Sequence, residues 1–146
     1  MGHVRPCQEF EPLRVESTTR VFVLTGAGIS AESGIQTFRD ANGLWEQHRV
    51  EDVASPEGWA ADPLLVWRWY AVRRAAVVQA EPNAGHHALA AAERSKHRLS
   101  IVTQNVDGLH RRAGSTDVNE IHGSITRTLC LARCGYTEDD PSRLPP

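Results

Sequence analysis

The sequence predicts an α/β fold with a parallel sheet, and three observations carry that reading. A β-branched apolar run, Val21-Phe22-Val23-Leu24, leads into the glycine turn Gly26-Ala27-Gly28. It is too short for a typical helix and reads as a buried strand. From Leu64 to Ala80 there is no glycine or proline, and the apolar residues leave a broad face suited to a buried helix. A second apolar run, Leu99-Ser100-Ile101-Val102, returns to strand character and delivers polar residues at its C-terminal end. Open parallel sheets bind ligands at that edge.

The 146 residues suggest one domain with a modest core. A hydrophobic fraction of 40% and a charged fraction of 23% are ordinary for a globular protein. The net charge of -2 offers no basic footprint for nucleic acid or an anionic membrane surface. No apolar run reaches the roughly 18 residues that a membrane-spanning helix needs. Residues 1–18 lack the apolar core of a secretory signal and read as an N-terminal arm. Three cysteines, an odd number, argue against a disulfide framework. A cytoplasmic location is the resulting expectation.

Strand, glycine turn and helix start together make an anion cradle, because glycine admits close approach and a helix N-terminus presents free N–H groups. Ser30 or Ser33 is the expected cap of that helix. A ligand-free β-to-α turn fits the same residues, since the third glycine of the usual dinucleotide fingerprint is absent. The charged stretch Glu46 to Asp52 reads as a short helix or loop, broken by Ala54-Ser55-Pro56. Pro63 falls in the first turn of the long helix. Trp67 and Trp69 read as packing residues. Tyr70 and Arg73, at i and i+3, share one helical face. A surface arginine stacked on a tyrosine fits that spacing, and so does a fork for a carboxylate; periodicity alone favours the first.

Another helix is expected over Ala88 to Lys96. His86 and His87 are adjacent, so they cannot share a helical face as paired metal ligands and read as structural. Further strands are expected at Asp117 to Ile121 and Thr126 to Leu129. Between the second and third strands lie Gln104, Asn105 and Asp107, three amide or acid side chains at a strand end. His122 precedes Gly123, which leaves the imidazole open to a substrate, and imidazole changes charge near neutral pH. Cys130 and Cys134 have a spacing within the range of a zinc knuckle; a free dithiol is the alternative.

Taken in order, GAGIS with SGI and TFR, then TQNVDGLH, then HG resemble the sirtuins, the NAD-dependent protein-lysine deacylases. The resemblance covers roughly Thr19 to Tyr136. It implies a partial Rossmann-like parallel sheet with a helical insertion over about 43–96 and the start of a small zinc-binding module over about 125–136. NAD would be consumed as co-substrate. The implied cofactor-binding residues are Gly26, Ala27, Gly28, Ile35, Thr37, Phe38, Arg39 and Trp45, joined by Gln104, Asn105, Asp107 and His122. The implied catalytic residues are His122, as general base, and Asn105. In the implied reaction the acyl oxygen attacks the anomeric carbon of the nicotinamide ribose. His122 then activates a ribose hydroxyl, giving nicotinamide, O-acyl-ADP-ribose and free lysine.

Tyr70-x-x-Arg73 looks like the signature of the sirtuin branch that removes succinyl and malonyl groups, with Ala54 at the position that widens the acyl pocket. Implied partners are acylated-lysine proteins, with neither nucleic acid nor membrane. Gln36 stands where the family usually has proline, a change that a loop tolerates at some loss of rigidity. Sirtuins complete a structural zinc site with a second cysteine pair further downstream; Cys7 does not match that pattern, so Cys130 and Cys134 form a half-site. A doubly wound sheet usually has about six strands, and the first half is what the sequence displays. The expectation is therefore a catalytically incomplete chain, with an uncovered sheet face and a disordered tail over 137–146. A binding module that keeps ADP-ribose contacts without turnover is the rival reading. A dehydrogenase is weakened by the missing GxGxxG.

Overall fold

The computed structural model describes residues 16, 19–35, 44–45, 48–95 and 98–139. The order is β1 (Arg20–Thr25), a 3-10 helix (Ala27–Ser33), β2 (Leu44–Trp45), β3 (His48–Arg49), α1 (Val50–Val53), α2 (Pro56–Ala61), α3 (Pro63–Gln79) and α4 (Ala84–Arg94). Then follow β4 (Arg98–Thr103), α5 (Leu109–Arg112), β5 (Val118–Glu120), β6 (Thr128–Leu129) and β7 (Thr137–Glu138). The structure thus has the α/β class read from the sequence.

β1, β4 and β5 form a parallel sheet in that order. Alternation along the strands sorts their side chains onto two faces. Val21 and Val23 stand in register with Leu99 and Ile101, and Ile101 with Val118. On this face Leu89 and Ala92 of α4 pack against the buried Leu99, Ile101 and Val118. Ile101 is wholly buried, and full burial of such a side chain stabilises by about 1.5–3 kcal/mol. The opposite face differs: Phe22 is 73% exposed and Leu24 69% exposed. Parallel sheets are normally covered on both faces; the exposed face lies on β1, the neighbour of the Leu99–Val102 strand on which exposure is expected, and Leu99 and Ile101 themselves are buried.

Helix starts follow their caps. Ser55 Oγ accepts from Gly58 N at 2.9 Å and donates to Glu51 O at 2.6 Å, which joins α2 to α1. Asp62 Oδ1 accepts from Leu65 N at 2.9 Å, and Pro63 opens α3 as expected. The helix expected from Ala88 begins earlier, at Ala84, because Asn83 caps it and His86 Nδ1 accepts in return from Asn83 N at 3.2 Å. This capping box satisfies N–H groups that would otherwise lack partners.

Three local expectations change. Neither Ser30 nor Ser33 caps the first helix: it starts at Ala27 directly from the extended Gly26, with no side-chain cap, and both serines fall inside it. The strand expected from Thr126 is confined to Thr128–Leu129. The N–H groups of Thr126 and Arg127 turn back to Ser124 Oγ and Ser124 O. β7 lies within the stretch read as a tail; Glu138 and Thr137 pair with Thr128 and Leu129, and Arg127 Nε bonds Asp139 Oδ1 at 2.6 Å. No described helix is long and apolar enough to cross a membrane.

Candidate functional site

The C-terminal ends of β1 and β4 adjoin, with Thr25 in register with Thr103. The glycine turn and the segment Gln104 to Asp107 therefore leave the sheet side by side, and Gln104 N bonds Thr25 O at 3.0 Å. A latch of side chains locks them. Asn105 Nδ2 donates to Gly26 O at 3.2 Å and to Ser30 Oγ at 3.0 Å. Ser30 Oγ in turn donates to Asp107 Oδ2 at 2.7 Å, and Asp107 Oδ1 accepts from Leu109 N at 2.9 Å. Ser30, Asn105 and Asp107 are all buried, where a fully partnered polar set rigidifies and an unpartnered one is costly.

A cleft of about 590 Å³ opens beside this latch. Its lining includes Ala27 and Ile35 from the first motif, Gln104, Asn105 and Asp107 from the second, and His122 from the third. Ala54, Tyr70 and Arg73 complete one wall. Gly26 lies at the latch through its carbonyl, and Gly28 has open space where a side chain would stand. Gly34, at φ 83°, closes the turn in the left-handed conformation that favours glycine. Thr37, Phe38, Arg39, Gln36 and Cys7 lie outside the described residues, and Trp45 is defined as a strand residue opposite His48.

His122 is exposed on the cleft, and its Nδ1 lies 3.2 Å from Gln104 O. A carbonyl oxygen accepts only, so the imidazole hydrogen sits on Nδ1 and Nε2 keeps its lone pair. Gly123 follows at φ 80°, in a turn whose N–H reaches Glu120 O at 3.1 Å. A bulkier residue would strain this turn.

Tyr70 and Arg73 do share one face, but they are not a surface stack. Arg73 is buried, with its guanidinium 4.8 Å from the centroid of Trp69. Trp69 meets Tyr70 edge-on at 4.9 Å. Burial raises the Tyr70 phenol above its ordinary value, against the opposing pull of Arg73. The phenol therefore stays a hydrogen-bond donor at neutral pH. Trp69 is a core residue as expected.

Several residues at the site have roles that their local sequence did not indicate. Ser30 is the hub of the latch, His110 bonds Thr25 Oγ1 at 2.9 Å, and Arg74 Nε donates to Ile125 O at 3.0 Å from a buried position. Each acts on a partner more than fifty residues away in sequence.

Cys130 and Cys134 stand apart from the cleft, on the β6–β7 hairpin, where Cys130 N bonds Tyr136 O at 3.1 Å. Hydrogen bonding with the Cys134 side chain, and with the N–H groups of Cys134 and Ala132, holds the Cys130 thiol below its ordinary range. This is a thiolate-stabilising loop and suits a metal ligand pair. Among the described residues no group of three or more His, Cys, Asp or Glu side chains converges as a metal site.

A parallel sheet with a latched glycine turn and a histidine-bearing cleft at its C-terminal edge is an open α/β arrangement, the class that binds ligands at that edge. The chain belongs to the Sir2 family, whose pattern matches residues 26–144. It is 54% identical over 127 residues to an NAD-dependent protein deacylase of Methylococcus capsulatus, covering 86% of this chain and 48% of that one. With an NAD-dependent protein deacylase of Aeropyrum pernix the identity is 49% over 141 residues, covering 94% and 57%. Among solved structures, a Sir2 homolog–NAD complex superposes with a TM-score of 0.77 at 44% identity, covering 89% of this chain and 52% of that one. A Sir2 homologue mutant in complex with 2′-O-acetyl ADP ribose gives 0.76 at 46% identity, covering 87% and 51%. The chain spans about half the length of the relatives it matches.

Proposed function

We propose that this protein acts in NAD-dependent removal of acyl groups from protein lysines, with a preference for acidic acyl groups such as succinyl and malonyl. The observation that carries the reading is His122: its Nδ1 is engaged by Gln104 O while Nε2 is left free on a cleft shared with the glycine turn. Relatives that are deacylases, and related structures with NAD and 2′-O-acetyl ADP ribose, support it.

NAD, as co-substrate, supplies the ribose carbon to which the acyl oxygen bonds as nicotinamide leaves. The residues of this chain have the following roles. The Asn105–Ser30–Asp107 latch holds the turn at Gly26 to Gly28 against the β4 end, so that the backbone is preorganised for a diphosphate. His122 Nε2 takes the proton of a ribose hydroxyl as that oxygen bonds to the acyl carbon, and Gln104 O steadies the imidazolium through Nδ1–H. Tyr70 and Arg73 bind the acyl carboxylate, and Ala54 leaves room for the longer chain. Zinc would have a structural role, with Cys130 and Cys134 giving two of the four donors that such a site takes.

The test is incubation of the protein with NAD and acetyl-, succinyl- or malonyl-lysine peptides, followed by mass spectrometry. O-acyl-ADP-ribose is expected once the chain is joined to the remaining half that its relatives carry, most abundantly from the acidic acyl peptides. NAD binding without any product would overturn deacylation and leave an ADP-ribose-binding module.

A further inference from the structure

Behind the latch, away from the cleft, two histidines lie in van der Waals contact. His86 of α4 and His110 of α5 are 0% and 1% exposed, and their ring centroids are 4.9 Å apart. Each makes one outward bond. His110 Nε2 meets Thr25 Oγ1 at 2.9 Å, at the residue where β1 enters the glycine turn. His86 Nδ1 accepts from Asn83 N, and Asn83 Nδ2 donates to Ile29 O at 2.7 Å and to Ser33 Oγ at 3.0 Å, in the helix that leaves the turn. The two imidazoles therefore hold the two ends of one loop.

The other ring nitrogens, His86 Nε2 and His110 Nδ1, are buried without a hydrogen-bond partner. The outward bond fixes the tautomer of neutral His86. His86 Nδ1 accepts, so its hydrogen is on Nε2. At His110 the Thr25 hydroxyl can either accept from or donate to Nε2, so both neutral tautomers keep this bond. In the neutral pair each ring thus keeps one buried nitrogen without a partner. An added proton brings a charge into this buried pair, the costlier arrangement.

We propose that His86 and His110 are positioning residues for the nucleotide site, a buried clamp that must be neutral to hold the glycine turn in its binding conformation. The proposal rests on the NAD reading above for what the turn binds. The ionisable groups facing the pair are Asp107, from the segment after β4, and His87 on α4. Burial holds both imidazoles below their ordinary value; His86 adds to this at His110, and Asp107 pulls the other way at both. A proton on either ring also draws Asp107, whose Oδ2 is the acceptor for Ser30. Acid therefore loosens the latch as well as the ends of the loop.

The experiment pairs ADP-ribose titration calorimetry with imidazole and amide NMR on the same chain, from about pH 7.5 to about pH 5.5. Affinity is expected to fall about tenfold or more over that range, the scale of one pK unit of coupling. His110→Gln retains a polar partner for Thr25 but takes no proton; whatever its affinity at the upper pH, it should lose affinity less steeply as the pH falls. His110→Phe, which lacks that partner, should bind weakly throughout. In NMR the amides of residues 26–34 should shift together with the His86 and His110 rings. An unchanged pH dependence in His110→Gln, or turn amides that move independently of the two rings, overturns the clamp. Absence of ADP-ribose binding at every pH would contradict the nucleotide reading instead, and the NMR arm then decides the clamp alone.

Discussion

Ser30 Oγ donates to Asp107 Oδ2 at 2.7 Å while accepting from Asn105 Nδ2 at 3.0 Å. One hydroxyl thus joins the helix after β1 to the segment after β4, and it does so in a buried setting where each group has few other partners. The cleft is shaped by this bond as much as by the sheet beneath it.

Removing that hydroxyl leaves a buried carboxylate oxygen short of a donor. Ser30→Ala is expected to destabilise the chain by about 1–3 kcal/mol, read from denaturant unfolding. ADP-ribose affinity should fall with it. Unchanged stability and affinity would mean that the latch is incidental.

Burial of His86 and His110 also sets a pH dependence of folding. Their folded pKa values lie below the unfolded ones, so the unfolded chain binds more protons. Stability is then fully present above about pH 6.5 and is lost as pH falls toward the folded values. Melting temperatures from pH 8 to pH 5 should fall in this sense, and less so in a His86→Gln/His110→Gln double variant that is allowed its own lower starting point. Equal slopes in the two proteins would remove the histidines from the account.

The strands, the long helix and the three motifs were legible because each has a local cause: β-branched runs, an uninterrupted apolar face, and glycines followed by polar residues. Local signals also misled. Ser30 has the residue type and position of a helix cap, but Gly26 in an extended conformation starts the helix first and leaves Ser30 facing partners at 105 and 107. His86 read as structural and His110 closed the second motif, but their pairing had no signal because it depends on how α4 and α5 dock. Arg73 looked at home on a surface until Trp69 was seen to stack on it. Tertiary partners at long separation leave no period in the sequence.

The acyl preference has its own test. Arg73→Met should lower turnover of a succinyl-lysine peptide about 10- to 100-fold more than that of an acetyl-lysine peptide, the scale of a charge-assisted hydrogen bond of about 1.5–3 kcal/mol. Steady-state kinetics on both peptides reads the difference. Equal losses would make Arg73 a packing residue for Trp69.

The wall that carries Ala54 depends on close packing at Gly58. A β-carbon there would stand 2.3 Å from Asp52 O and 2.8 Å from Glu51 O. Both are backbone atoms at the end of α1, so they move only by shifting the helix. Gly58→Ala should cost about 1–3 kcal/mol, as overpacking does, in a thermal or denaturant melt. A neutral outcome would show that α1 and α2 slide freely.

The central claim is that His122 acts as the base on a nucleotide held by the latched turn. The direct measurement is O-acyl-ADP-ribose formed from NAD and succinyl-lysine peptide by the protein and by His122→Ala, with ADP-ribose affinity measured alongside. A positioned general base contributes about 10²- to 10⁴-fold. The account predicts a loss of product on that scale, far larger than any loss of affinity, since no bond of the latch involves His122. Product formation by His122→Ala at close to the unsubstituted rate would contradict it.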